Sequence, residues 1–151
     1  MAVAGIPWDQ ILEALTAACR KHYGQRLAAL AVFGSVGRGQ ATEASDIDLL
    51  VVVRSGCRSR PAALEEFGAI EKAMMRWWQE SLGRPDPLPE LSPVFCTPAN
   101  LERRFPLMLD MVHDARLLYD PDGILKQALD ALSRRLEALG ARRIPYGGAW
   151  Y

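Results

Sequence analysis

"FGSVGRGQATEASDIDLLVVV", Phe33 to Val53, joins a glycine-rich turn to two aspartates at the mouth of an apolar run. On its N-terminal side, Leu27 to Phe33 (LAALAVF) is short, apolar and stopped by Gly34, the pattern of a buried strand. On its C-terminal side, Leu49 to Val53 (LLVVV) carries β-branched residues that pack well on a pleated surface. The stretch therefore reads as a strand, a tight turn, a connecting loop, and a D-x-D entering a second strand.

In a strand, side chains two apart share one face at a separation of roughly 7 Å. Asp46 and Asp48 should then project together while Ile47 turns to the opposite face. Like charges so placed resist joint ionisation unless a cation lies between them, and hard oxygen donors select magnesium or manganese. Gly34 lets the backbone approach a phosphate, and the amides after it, with the Ser35 hydroxyl, can donate to phosphate oxygens. A triphosphate in that turn would present metal-bridged oxygens to the aspartates. In-line displacement at phosphorus asks mainly for such positioning and charge neutralisation.

Other phosphate and metal motifs fail here. A P-loop needs Lys and Ser/Thr after its second glycine, but Gly39 is followed by Gln40 and Ala41. The dinucleotide fingerprint fails because its third small position is Thr42. An EF-hand loop is excluded because Leu50 and Val51 follow the D-x-D where a ligand and a glycine belong.

The surrounding chain supplies elements to build on. Pro7 to His22 has apolar residues at helical spacing and Gly24 as a stop; Ala62 to Leu82 reads as a long helix ended by Gly83 and RPDPLPE. Leu91 to Thr97 suits a third strand, with Pro93 pointing to an edge. Thr97 and Pro98 resemble an N-cap and first helical residue, and helix broken near Pro106 is expected over Asn100 to Asp114. Arg116 to Tyr119 suits a fourth short strand, and a clear helix follows from Ile124 to Leu139. This order indicates a mixed sheet covered by helices. One of Trp77 and Trp78 is expected in the core, and the leucine seam from Leu125 to Leu139 suits a core face, with dimerisation left open.

With 151 residues, half of them apolar, the chain fits one globular domain spanning residues 1–151, the segment 140–151 (GARRIPYGGAWY) being a candidate docking tail. Lys plus Arg equals Asp plus Glu, so any contact with nucleic acid would have to be local. Cys19, Cys57 and Cys96 form no disulfide framework or zinc pattern, and no apolar run approaches the roughly 20 residues that span a bilayer, so a cytoplasmic location is expected without a membrane.

The pattern G-S-x-x-R-G, then A-T-x-x-S-D-I-D-L-L-V-V, resembles the signature of the minimal nucleotidyltransferases in the DNA polymerase beta superfamily. The match is dense from Phe33 to Val53, and the order of elements is compatible from about Ile11 to Leu139. The resemblance implies an α/β (α+β) polymerase beta-like fold, a small mixed sheet flanked by helices. It implies that Asp46 and Asp48 are catalytic ligands of Mg2+ or Mn2+, that Gly34 and Ser35 bind the triphosphate, and that Arg38 contacts phosphate. The reaction implied moves a nucleoside monophosphate, AMP from ATP, onto a hydroxyl and releases pyrophosphate.

By the same resemblance, the acceptor is a protein tyrosine or an RNA end, and the chain is the antitoxin of a toxin-antitoxin pair whose other half is a HEPN-type ribonuclease. An aminoglycoside-like small molecule is the alternative acceptor. Such enzymes commonly carry a third carboxylate shortly before a T-P-like helix start, and counting back from Thr97-Pro98 places that position at Val94. Valine neither ligates metal nor accepts a proton; Ser92, two residues earlier on the same face, is at best a weak substitute, and Glu90 is expected outside the strand. A weakly catalytic module that binds nucleotide or a protein partner is therefore the competing reading.

Overall fold

The computed structural model describes residues 5–56, 58–103 and 107–140. Four strands, β1 (Leu27–Phe33), β2 (Ile47–Val53), β3 (Leu91–Cys96) and β4 (Arg116–Tyr119), form one sheet in the order β3-β2-β1-β4. β1 runs antiparallel to both β2 and β4, whereas β2 and β3 are parallel. Parallel neighbours need a long crossover, and here it carries α3 (Arg60–Arg76). The expected mixed sheet flanked by helices is the observed one, and β3 is an edge strand, where Pro93 costs no interior ladder bond.

Side-chain alternation divides the apolar residues between two cores. Leu30, Val32, Ile47, Leu49 and Val51 pack on one side with Ile11, Leu12 and Leu15 of α1 (Trp8–Tyr23) and Phe67, Ile70 and Met74 of α3. Ala29, Ala31, Phe33, Leu50 and Val52 face the other core. There they meet Leu101 of α4 (Pro98–Glu102), Met108 and Met111 of α5 (Leu107–Asp114), and Leu125, Leu129 and Leu132 of α6 (Ile124–Ala138). The alanines of β1 serve this second face, since their small side chains leave room for helices packed directly on the strand. All seven residues of β1 are buried, and each large apolar side chain so buried is worth about 1.5–3 kcal/mol.

Helix ends follow local chemistry. The Ser59 hydroxyl accepts the Ala62 N–H at 3.2 Å, so α3 starts two residues before the apolar pattern does. Thr97 and Asn100 form a reciprocal capping box at the start of α4, as the Thr-Pro pair suggested. Asp120 accepts from the Leu125 and Lys126 amides at 3.2 and 2.8 Å and caps α6. A π-helical turn, Trp77–Ser81, ends the long helix and brings Trp78 to 1 % exposure, where its indole donates to the Asp86 carbonyl at 2.7 Å.

Leu139, the last residue of the leucine seam, lies beyond α6 and is 73 % exposed. His22 lies against Glu66, which also pairs with Arg26. No helix among the described residues is long and apolar enough to cross a membrane. Of the candidate tail, only Gly140 falls within the described residues.

Candidate active site

β1 and β2 deliver the turn and the aspartates to the same end of the sheet because they are antiparallel and Phe33 pairs with Asp48. Immediately after Phe33 the chain enters a single helical turn, α2 (Gly34–Gly37), through Gly34 at φ +65°. An ordinary side chain is excluded there twice. The left-handed backbone disfavours one, and a Cβ at Gly34 would lie 2.5 Å from Oδ2 of Asp48. The absence of a side chain lets the turn and the carboxylate touch.

Ser35 is tied to the loop that carries the aspartates. Its hydroxyl donates to Oγ of Ser45 at 3.1 Å, and the same Ser45 oxygen accepts the Thr42 N–H at 2.8 Å. Ser45 directly precedes Asp46, so these bonds fix where the first aspartate leaves the loop. Asp46 is exposed, Asp48 is half-buried, and Ile47 between them is wholly buried in the opposite core. Asp46 thus immediately precedes β2, and Asp48 lies within it. Burial raises the Asp48 pKa above the usual carboxylate range, the Asp46 charge pushes it the same way, and the Arg38 guanidinium partly opposes both.

Arg38 reaches this neighbourhood from the end of α2. Its Nη1 donates to Oδ2 of Asp114 at 3.0 Å and its Nε to Oε1 of Gln40 at 3.3 Å. Asp114, at the end of α5, is 3 % exposed. No feature of its local sequence, far along the chain from the turn, marks it as a partner of that turn.

The third-carboxylate position also moves. The parallel register places Ser92 beside Asp48 and Val94 beside Leu50, and Val94 packs against the second core. Counting back from Thr97 therefore stops two residues short, and the side chain paired with Asp48 is the Ser92 hydroxyl. Glu90 precedes the strand. Its carbonyl accepts the Ile47 N–H at 2.8 Å, and its exposed side chain lines a cleft of about 360 Å3 with Asp46, Ser45 and Glu43. Across that cleft Arg84 forks onto Asp86 at 2.8 and 2.7 Å and stacks over Trp78. Among the described residues no three His, Cys, Asp or Glu side chains come together closely enough to hold one metal ion.

The donor set nevertheless fits a divalent cation shared with a ligand. Magnesium is usually held by one or two carboxylates plus substrate phosphates rather than by an all-protein cage. Asp46 and Asp48 would provide that pair, and a cation between them would relieve the repulsion that the Asp46 charge exerts on Asp48.

A Methanocaldococcus jannaschii protein named "Putative protein adenylyltransferase MJ1305" is 24% identical over 127 residues, covering 82% of this chain and 80% of its own. A crystallised toxin-antitoxin with AMP-PNP aligns at 13% identity with a TM-score of 0.47, over 89% of this chain and 94% of its own. The toxin-antitoxin MntA-HepT aligns at 14% identity with a TM-score of 0.45, over 86% and 91%. The profile of the nucleotidyltransferase domain matches residues 11–94, more than half of the chain, which spans β1, the Gly34 turn, both aspartates and most of β3. The chain belongs to the nucleotidyltransferase domain family.

Proposed function

We propose that the chain acts as one nucleotidyltransferase domain that binds a magnesium- or manganese-complexed nucleoside triphosphate and transfers AMP from ATP to a protein hydroxyl. The observation that carries this reading is the contact between the Gly34 turn and the Asp48 carboxylate, which leaves phosphate and metal ligands no room for an intervening side chain. In the reaction, the acceptor oxygen bonds to the α-phosphorus, the bond from that phosphorus to the α–β bridging oxygen breaks, and pyrophosphate leaves. The acceptor proton passes to water. A bound divalent cation would neutralise phosphate charge and polarise the phosphoryl oxygens.

The chain's own residues hold and orient. Asp46 and Asp48 are the metal ligands, Gly34 admits the phosphates, the Ser35 hydroxyl and Arg38 contact them, and Ser45 keeps Ser35 in place. The choice of a protein acceptor is supported by the relative named as a protein adenylyltransferase. A HEPN-type partner, which the sequence resemblance suggests, is the first protein to test.

Pyrophosphate release from ATP and Mg2+ in the presence of that partner tests the reading. The parent should release pyrophosphate and label the partner with AMP, and Asp46→Asn with Asp48→Asn should do neither. Ser92 beside Asp48, in place of a third carboxylate, favours one other reading: a module that binds nucleotide or partner without transfer. Intact partner binding by both parent and double variant, with no pyrophosphate from either, would select it.

A further inference from the structure

The arginine of the glycine turn rests on a buried carboxylate that the motif does not contain. A carboxylate as buried as Asp114, at 3 % exposure, is costly unless it is paired and hydrogen-bonded. One of its partners is Arg38, whose side chain is 36% exposed and whose Nη1 lies 3.0 Å from Oδ2 of Asp114. The protein thus places a buried acid beneath a surface arginine. Main-chain packing joins the same two places, since a Cβ on Gly37 would overlap the Asp114 carbonyl oxygen.

The geometry of the guanidinium gives this pairing a consequence. Arginine offers five N–H donors in one rigid plane. Nη1 is engaged by Asp114 and Nε by Gln40, while Nη2 has no protein partner among the described residues. Arg38 is also close enough to Asp48 for its charge to lower that carboxyl's pKa. The plane is therefore held at two of its nitrogens, and Nη2 keeps its donors.

We propose that Asp114 is a positioning residue, one that holds Arg38 ready for the polyphosphate of the bound nucleotide. The inference rests on the nucleotide-binding reading above. A long side chain ordered before binding need not be ordered during it. The loss expected on releasing Arg38 is about two- to tenfold in affinity, the usual cost of immobilising one flexible side chain.

A double-mutant cycle read by calorimetry with MgATP tests this. Asp114→Asn should weaken MgATP binding by about two- to tenfold in the parent, and should have no further effect in an Arg38→Ala background. Thermal melting identifies the folded variants. Unchanged affinity in Asp114→Asn, or an equal loss with and without Arg38, would overturn the assignment while leaving nucleotide binding by the parent intact. Failure of the parent itself to bind MgATP would remove the nucleotide reading and this inference together. Should Asp114→Asn not fold, Arg38→Lys decides: it keeps the charge but lacks the planar fork, so it should lose nearly as much affinity as Arg38→Ala. Parental affinity in the lysine variant would refute the proposal.

Discussion

Adding one methyl group at Gly34 separates the two physical demands placed on the turn. An alanine at φ +65° carries the left-handed backbone penalty of about 1–2 kcal/mol. In a protein of this size that lowers the melting temperature by about 2–8 °C. The methyl would also stand 2.5 Å from Oδ2 of Asp48, far inside normal contact. The Asp48 backbone cannot retreat easily, because it is paired with Phe33 on one side and Ser92 on the other. The carboxylate must rotate away instead. Gly39→Ala is the matched control: at φ +73° it carries a similar backbone penalty, but a Cβ there meets nothing within 4 Å. Both variants should melt lower by similar amounts. Calorimetry with MgATP should then show a loss of about tenfold or more for Gly34→Ala, equivalent to about 1.4 kcal/mol, and nearly parental binding for Gly39→Ala. Parental affinity in Gly34→Ala, or equal losses in the two variants, would refute the idea that contact between turn and carboxylate creates the site.

Two further perturbations probe the charges and the register. The hydrogen bond from Arg26, then that with His22, holds the Glu66 carboxyl below its usual range, so its stabilising effect is present above the ordinary Glu pKa and is lost as pH falls through the depressed folded value. Glu66→Gln should melt below the parent at neutral pH, with the gap closing in acid. Asp48 has the opposite sign: its raised folded pKa means that its contribution declines as pH climbs from the ordinary Asp value through the raised one. With chelator present, Asp48→Asn should melt above the parent at neutral pH, and only the parent should gain from added Mg2+. For the register, Ser92→Asp should tighten Mn2+ binding by placing a carboxylate beside Asp48. Val94→Asp should not, and should cost about 1–3 kcal/mol in urea denaturation by putting a charge against the second core. Tighter Mn2+ binding by Val94→Asp would show that the strand pairing is wrong.

Features encoded by neighbouring residues were legible before any coordinates. The division of Ile47 and LLVVV between the two cores follows from strand geometry. The Thr97-Pro98 helix start and the edge placement of Pro93 come from equally local rules. Trp77 and Trp78 show where such rules stop. Helical spacing says that one tryptophan must be buried, but the π-helical turn and the Asp86 carbonyl select Trp78.

The two site features that were not legible share a physical cause. A hairpin's register is fixed by its turn, whereas parallel strands are separated by a crossover whose length carries no register information. β2 and β3 are aligned by contacts such as the Ile47 N–H to Glu90 carbonyl bond, so counting from a helix cap could not separate Ser92 from Val94. Asp114 presents the same problem in another form. A lone aspartate at the end of a helix is ordinarily exposed, and only the pairing of β1 with β4 brings the end of α5 against the Gly37 turn. Arg38 could accordingly be recognised in the motif, while its support had to come from the tertiary structure. A substitution at Asp114 should therefore mimic one at Arg38 in nucleotide binding, although sequence inspection alone would class Asp114 as an ordinary helix-end residue.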